Sequence, residues 1–255
     1  MTKRSGGTVC REVLHALAGL RTGVIMRVLR VEHVTEYRFG AFVTLLPHRL
    51  LIRPRESHEL RVVSSTLDIT PLHEVRWSRD MLDNSVATVT FREAANQLRI
   101  ASAVVVEQYD DQPLDFLVEE RALTFPFQYL EPELRMLAPY REASWPQSLS
   151  SVNAWLGQLS LPNTGIQTFA LLSRLNSAIH ESFAYRVREE EGVWAPQQSI
   201  QAKAGSCRDL AALFIEACRC LGLASRFVSG YVHTPASESG HGTTHAWAET
   251  YLPGP

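Results

Sequence analysis

Hydrophobic and polar positions alternate in short segments between residues 26 and 111. The segments RVEHVTEYRF, HRLLIRPR, ELRVVSSTLDITP, EVRWSRD, SVATVTFRE and QLRIASAVVVEQYD are rich in Val, Ile, Thr and aromatic residues, and turn residues separate them. This spacing is typical of an antiparallel β-sandwich. The stretch RDMLDNSVATVTF predicts a hairpin whose turn is built on Asp83 and Asn84. No polar cluster converges here, so we predict a β-sandwich domain over residues 26–111 without chemistry of its own.

The pattern changes after residue 111. Repeated prolines punctuate short helical pieces such as PQSLSSVNAWLGQL, which predicts a helical connector over residues 112–163. The stretch TGIQTFALLSRLNSAIHESFAY then shows a helical period and opens a second domain, predicted over residues 164–255. The apolar positions of this period are Ile166, Phe169, Leu172, Leu175 and Ile179.

A second helical pattern begins at a cysteine. In GSCRDLAALFIEACRCLG, Ser206 with Asp209 three residues later has the form of a capping box, and Gly222 predicts the end of the helix. Cys207 is then the first helical residue, where the unpaired N–H groups and the positive end of the dipole favour a thiolate. The predicted core-facing stripe comprises Cys207, Leu210, Ala211, Phe214, Cys218 and Leu221.

Two interpretations of Cys207 stay open on these grounds: a nucleophile at a helix start, or a small apolar residue in the core. Cys218 and Cys220 lie further along the same helix without an activating neighbour, which predicts packing roles. A zinc site is disfavoured, because Cys207 and Cys218 are about 16 Å apart along a helix and no Cys-x-x-Cys pair is present. The REEE run at residues 188–191 is predicted to be a solvated face rather than a metal site.

A thiolate nucleophile needs an imidazole partner, and the chain has nine histidines. The segments SRFVSGYVHTP and THAWAETYLPG predict two strands, joined by the loop at residues 236–243, which we expect to be mobile and solvent-facing. His245 lies on the polar face of the second strand, while small alanines on the opposite face allow close approach to a helix. His245 is therefore the candidate base, and His233 and His241 are weaker candidates because they flank or occupy the loop. The polar face comprises His245, Trp247, Glu249 and Tyr251.

Composition narrows the classes of function. Apolar residues make up 45% and charged residues 20%, and a net charge of -2 with a pI near 6.5 gives no reason to expect nucleic acid or an anionic membrane as a partner. Four cysteines are too few for a disulfide framework, which predicts a reduced, cytoplasmic setting. No run reaches the roughly 20 apolar residues that span a bilayer. Residues 1–25 are predicted to be a disordered or weakly helical extension.

Two motifs together carry a resemblance to a known family. The stretch GSCRDLAALFIEACRCLGLASRFVSGYV followed by THAWAETYLPG resembles the transglutaminase-like superfamily of papain-type thiol enzymes, over about residues 165–255. FAYRV, through Phe183 and Tyr185, fits the same pattern. RLLIRPR and the turn at residues 80–84 resemble the N-terminal domain of the bacterial members. The resemblance implies an α+β fold, in which an N-terminal antiparallel β-sandwich domain is followed by a papain/transglutaminase-like core.

The resemblance also implies catalytic roles by position. Cys207 is implied as the nucleophile that attacks a peptide or carboxamide carbonyl, and His245 as the base that deprotonates it and later protonates the leaving amine. Water or an amine then resolves the acyl-enzyme, with a peptide or protein as substrate and with no cofactor or metal. Asp209 is interpreted as the capping group rather than as a third catalytic residue. The rival hypothesis is a non-catalytic family member that serves as a protein-binding scaffold.

The end of the sequence carries a further expectation. In the resembled family, the strand after the histidine strand supplies an Asp that orients the imidazole, whereas this sequence stops at YLPGP. Glu249 shares a face with His245 but lies about 13 Å along the strand, too far to orient it. We therefore expect a truncated, weakly active core whose exposed sheet edge pairs with a second copy or is covered by a displaced segment.

Overall fold

The computed structural model describes residues 8–17, 26–109, 116–162, 165–188, 190–233 and 244–254. The chain divides into two compact units, one within residues 1–114 and 230–244 and the other within residues 115–229 and 245–255. Antiparallel sheets build the first unit, and helices with short strands build the second. The prediction of an α+β fold with an N-terminal antiparallel β region is confirmed.

The described part of the first unit contains seven strands. They are β1 (Thr8–Leu17), β2 (Arg27–Val43), β3 (His48–Leu50), β4 (Leu60–Thr70), β5 (His73–Arg79), β6 (Ser85–Phe91) and β7 (Ala95–Gln108). A four-stranded sheet has the order β1-β2-β7-β4 and a three-stranded sheet has the order β3-β6-β5, with every pairing antiparallel.

Both sheets contribute to one core. Ile69 of β4 and Leu98 and Ile100 of β7 are buried together with Val89 of β6, which belongs to the other sheet. Alternate residues of a strand point to the same face, so these side chains mark the inner faces of a two-sheet sandwich.

The predicted hairpin joins β5 and β6. The carboxylate of Asp80 accepts the N–H groups of Leu82 at 2.9 Å and of Asn84 at 2.8 Å, and Asp83 adopts a left-handed conformation with φ of 62°. The hairpin is confirmed, and Asp80 is the residue whose side chain organises its turn.

Residues 8–17 differ from the expected disordered or weakly helical extension. They form β1, which runs antiparallel to β2 with Thr8 opposite Tyr37 and Leu17 opposite Val28. Without this partner, β2 would present a row of unpaired N–H and C=O groups at the sheet edge, and the pairing satisfies them. Residues 1–7 and 18–25 lie outside the described residues.

The second unit contains all five α-helices of the described chain. They are α1 (Glu131–Arg141), α2 (Leu149–Gln158), α3 (Thr168–Ser182), α4 (Pro196–Ala202) and α5 (Cys207–Cys220). Its strands are β8 (Thr124–Phe125), β9 (Ile166–Gln167), β10 (Ala184–Tyr185), β11 (Ala204–Gly205), β12 (Ser225–Tyr231) and β13 (Thr244–Thr250). They form three two-stranded sheets, β8-β9, β10-β11 and β12-β13.

Helix α5 lies in the core of the second unit. Leu213, Ala217 and Cys218 are fully buried in a cluster that also contains residues of α2 and α3. The members from those helices are Val152, Trp155, Leu156, Leu171, Leu175 and Ile179. Cys207 therefore lies at the start of a helix that packs in the core, rather than on a surface loop.

The helix predicted from residue 164 begins at Thr168. Ile166 precedes it in β9, where it is buried opposite Phe125, and Phe169 is exposed rather than buried. The buried stripe consists of Leu171, Leu175 and Ile179, because a four-residue interval keeps these positions on one face. The predicted stripe is therefore right at Leu175 and Ile179 and wrong at Phe169.

Candidate active site

Cys207 is the first residue of α5, as the sequence predicts. Ser206 precedes it in an extended conformation, and the carbonyl of Ser206 accepts the N–H groups of Asp209 and Leu210, both at 3.0 Å. The Cys207 side chain is half-buried. The N–H groups of a first helical turn have no partner inside the helix, so the N–H of Cys207 lies at the positive end of the helix dipole.

The carboxylate of Asp209 is fully buried and accepts five hydrogen bonds. Its Oδ2 accepts the N–H of Ser206 at 2.9 Å, the hydroxyl of Ser206 at 2.7 Å and Nε of Arg188 at 2.7 Å. Its Oδ1 accepts Nη2 of Arg188 at 3.0 Å and the N–H of Trp194 at 2.8 Å. Burial raises the pKa of Asp209, but the hydrogen bonds outweigh burial and lower the pKa to about 2.

These bonds confirm Asp209 as a capping residue, because its carboxylate satisfies the N–H of Ser206. The hydroxyl of Ser206 donates to Asp209, while the N–H of Asp209 donates to the Ser206 carbonyl. The carboxylate attracts the hydroxyl proton more strongly than a neutral acceptor would.

Arg188 corrects the prediction that the REEE run is a solvated face. Only 6% of its side chain is exposed, whereas Glu190 and Glu191 are exposed. The guanidinium is buried because it forms a two-point pair with Asp209 and lies 4.4 Å from the ring centre of Trp194.

Tyr185 lies beside the thiol of Cys207. Parallel pairing of β10 with β11 puts Tyr185 opposite Gly205, and the N–H of Arg186 donates to the Gly205 carbonyl at 2.9 Å. Burial raises the pKa of Tyr185, and the neighbouring Cys207 raises it further. The Tyr185 side chain is nevertheless 56% exposed. It therefore forms part of the accessible surface next to the thiol.

The other end of α5 follows the sequence prediction closely. Gly222 has φ of 82°, its N–H donates to the carbonyl of Arg219, and the N–H of Leu223 donates to the carbonyl of Cys218, both at 2.9 Å. This pair of bonds is a Schellman motif, in which glycine adopts the left-handed conformation without strain.

Cys218 and Cys220 have the packing roles that were predicted. Cys218 is fully buried and Cys220 packs at the margin of the same core. Burial raises the pKa of the Cys218 thiol to about 12 and also raises that of Cys220. Both thiols are therefore poor nucleophiles in the folded protein.

The burial of α5 extends beyond the predicted stripe. Glu216 is fully buried, and its Oε1 accepts Nη1 of Arg219 at 3.1 Å and the N–H of Ser144 at 2.9 Å. Leu210 and Phe214, which belong to the predicted stripe, are only half-buried. Hydrophobic periodicity predicts that carboxylates are exposed. It therefore misses Asp209 and Glu216, whose carboxylates are buried and each form an ion pair with an arginine.

His245 is the second residue of β13 and is half-buried. β12 and β13 are antiparallel, because Ser225 contacts Thr250 at 2.8 Å and the next residue, Arg226, forms an ion pair with Glu249 at 2.6 Å. Glu249 is thus engaged by Arg226.

The strand of His245 is attached to the helix of Cys207. The hydroxyl of Thr250 donates to Sγ of Cys218 at 3.7 Å, which confirms that the Ala/Thr face of β13 meets α5. Cys207 lies about 16 Å before Cys218 along the helix, and His245 lies about 16 Å before Thr250 along the strand. Four residues separate the end of α5 from β12, and β13 runs antiparallel to β12.

Cys207 and His245 belong to the same unit. By strand alternation, His245 lies on the face of β13 opposite to that of Thr250, which contacts α5. No hydrogen bond between Cys207 and His245 is formed within the described residues. The loop at residues 236–243, expected to be mobile, and the weaker candidate His241 lie outside the described residues. His233 is exposed at the end of β12.

Two absences hold for the residues that the structure describes. Among those residues, no group of three or more His, Cys, Asp or Glu side chains forms a candidate metal site. Likewise, none of the helices in that part of the chain combines the length and apolarity that crossing a bilayer requires.

Comparisons with known proteins agree with this architecture. Residues 29–107 match the bacterial transglutaminase-like N-terminal region, and residues 163–255 match the transglutaminase-like superfamily. Uncharacterized proteins of Mycobacterium bovis and Mycobacterium tuberculosis are each 30% identical over 244 residues, which is 88% of this chain and 73% of each relative. The structure of "a Putative Cysteine Protease from Cytophaga hutchinsonii" has a TM-score of 0.64 and 14% identity, and the match covers 94% of this chain and 75% of that one.

An N-terminal antiparallel β region is thus followed by a core whose central helix begins at a half-buried cysteine. The chain belongs to the transglutaminase-like superfamily and carries the bacterial N-terminal region of that superfamily.

Proposed function

We propose that this protein catalyses thiol-dependent acyl transfer or hydrolysis at peptide or carboxamide bonds, with Cys207 as nucleophile and His245 as general base. The observation that carries the proposal is the half-buried thiol of Cys207 at the first position of α5, in a chain that matches the transglutaminase-like superfamily over residues 163–255. His245 is proposed as the base because THAWAETYLPG resembles the histidine strand of that superfamily, and it lies in the same unit as Cys207.

In the proposed reaction, the imidazole of His245 takes the proton of the Cys207 thiol, and the sulfur attacks the carbonyl carbon of the substrate. The N–H of Cys207, at the start of α5, donates to the negative oxygen of the tetrahedral intermediate. The C–N bond breaks as His245 returns the proton to the leaving amine. Water or a second amine then attacks the thioester, releases the acyl group as an acid or a new amide, and restores the thiol.

The local environment supports a nucleophilic role for Cys207 over a packing role. Its thiol is half-buried at a helix start, whereas Cys218 is fully buried in the core. Tyr185 beside it is exposed and offers a hydroxyl next to the sulfur. Such accessibility is what a substrate carbonyl needs, and a core cysteine lacks it.

The test is acylation by an activated ester, p-nitrophenyl acetate, followed by mass spectrometry of the Cys207 peptide. We expect one acetyl group on Cys207, discharged by water and faster by an added primary amine. The matched control C220A should acylate like the wild type, and C207A should not acylate. Absence of acylation at Cys207, with C207A and wild type indistinguishable, would overturn the proposal and favour the binding-scaffold hypothesis.

A further inference from the structure

Asp209 has no acceptor capacity left for a catalytic histidine. A carboxylate offers about four lone-pair positions, and its two oxygens already accept five hydrogen bonds. The side chain is also fully buried between α5 and the residues that precede it. Its role near Cys207 must therefore be exerted through the groups that it holds.

The main group held by Asp209 is Arg188. Besides the two bonds to Asp209, Nη2 of Arg188 donates to the carbonyl of Gly192 at 3.1 Å, and the guanidinium lies over Trp194. From α5 itself, Nη2 of Arg208 donates to the carbonyl of Arg188 at 3.2 Å and to that of Glu190. Residues 184–188 and 190–194, which we call the strap, are thus fixed to the first turn of α5.

The second residue of the strap, Tyr185, is the one that lies beside the thiol. Tyr185, which lies three residues before Arg188 on the strap, pairs with Gly205 in the β10-β11 sheet. Gly205 in turn lies two residues before Cys207. Gly205 is also tightly packed, because a Cβ atom there would lie 2.9 Å from Cβ of Asp209. The position of Tyr185 relative to Cys207 is therefore linked to the Arg188–Asp209 pair through backbone that has little room to shift.

Charge provides a second link. Asp209 is buried and lies two residues after Cys207 in the first turn of α5, so its negative charge would repel a second negative charge developing on the sulfur. Arg188 neutralises this carboxylate. Glu190, which is exposed, also forms an ion pair with Arg188 at 3.4 Å, and Arg208 contacts the carbonyls of the strap. The other polar or charged groups of this first turn and of the strap are Ser206, Tyr185, Arg186 and Glu191.

We propose that Arg188 and Asp209 are positioning residues of the thiol site, whose paired charges keep the surroundings of the Cys207 sulfur electrically neutral. The inference rests on the proposed function only in naming Cys207 as the reacting group. Asp209 is accordingly a partner of Arg188 rather than of His245.

The experiment measures the rate at which iodoacetamide alkylates Cys207 at one fixed neutral pH. R188M leaves the buried carboxylate uncompensated and should slow alkylation about tenfold or more. R188K restores the charge, and the double variant R188M/D209N removes both charges, so each should return to within about threefold of wild type. R219M is the matched control, because it breaks the Arg219–Glu216 pair at the other end of α5 and should leave the rate within about twofold of wild type.

A purely structural role for the pair predicts a different pattern. It would make R188M/D209N as slow as R188M, or R188M as fast as wild type, and either result overturns the proposal. If R188M does not fold, R188Q carries the same change in charge and decides in the same way. Failure of the proposed function would be seen in a different experiment, as a wild-type protein in which Cys207 forms no acetyl adduct. Even then, the ratio of the variant and wild-type alkylation rates still tests the role of the Arg188–Asp209 pair.

Discussion

Thr250 donates its hydroxyl to Sγ of Cys218 at 3.7 Å and contacts the hydroxyl of Ser225 at 2.8 Å. One small side chain therefore joins the strand of His245, the helix of Cys207 and the start of β12. Thr250 thereby fixes the end of β13 against the C-terminal part of α5.

Replacement of Thr250 by valine keeps the shape of the side chain but removes the hydroxyl. Ser225 then loses its partner in a partly buried position, so we expect T250V to reduce the free energy of unfolding by about 1–2 kcal/mol. Urea unfolding followed by circular dichroism measures this change. T250S, which retains the hydroxyl, should recover most of the loss, and equal stability of T250V and wild type would contradict the account.

Tyr129 stabilises the C-terminal end of β13. Its buried hydroxyl accepts the N–H of Ala224 at 3.0 Å and donates to the carbonyl of Tyr251 at 2.9 Å. Y129F leaves both backbone groups without this partner and should cost about 2–3 kcal/mol. The control Y140F, whose hydroxyl forms no hydrogen bond among the described residues, should change the urea midpoint little. Similar midpoints for Y129F and Y140F would show that the Tyr129 bonds contribute nothing.

Replacement by alanine is expected to have opposite effects on stability at Gly205 and at Gly157. A Cβ at Gly205 would lie 2.9 Å from Cβ of Asp209, whereas a Cβ at Gly157 in α2 has no atom within 4 Å. G205A should destabilise by about 1–3 kcal/mol through overpacking, and G157A should be neutral or stabilising by up to about 1 kcal/mol because alanine favours helix. Thermal melts of the two variants give the comparison. A melting temperature of G205A at or above that of G157A would refute the tight approach of β11 to α5.

Asp209 should dominate the acid sensitivity of the second unit. Its folded-state pKa of about 2 is below the usual value of about 3.9, so its contribution to stability is complete above about pH 4 and is lost as the pH falls toward 2. That contribution is about 2–3 kcal/mol. Urea midpoints measured between pH 6 and pH 2 should therefore fall less steeply in D209N than in wild type.

The control for this acid dependence is D83N. Asp83 forms an exposed ion pair with Arg79, and such pairs contribute little to stability. Between pH 6 and pH 2, the urea midpoint of D83N should fall as steeply as that of the wild type. If the midpoint of D209N also falls as steeply, Asp209 is not the group that titrates.

Local signals in the sequence were sufficient for the two elements of the site. Ser206 and Gly222 delimit α5 because a helix must satisfy its terminal N–H and C=O groups, and residues nearby in sequence do so. Period-two alternation likewise predicts β13 and the face on which Thr250 lies.

What the sequence could not show depends on partners that are distant along the chain. Arg188 is buried only because Asp209 lies beside it in the fold, 21 residues later in the sequence. Glu216 is buried through contacts with Ser144 and Arg219, and a carboxylate on a helical stripe otherwise indicates solvent. Residues 8–17 form a strand because β2 provides an edge to pair with, which no local pattern reveals.

The most direct test of the central claim is the alkylation of the folded protein by iodoacetamide at about pH 6, where ordinary thiols are mostly protonated. Peptide mapping should find Cys207 labelled well before Cys218 and Cys220, and H245A should slow its labelling about tenfold or more, while the control H233A leaves it unchanged. If Cys207 reacts no faster than Cys220, or equally fast in H245A and wild type, then Cys207 and His245 do not form a catalytic pair.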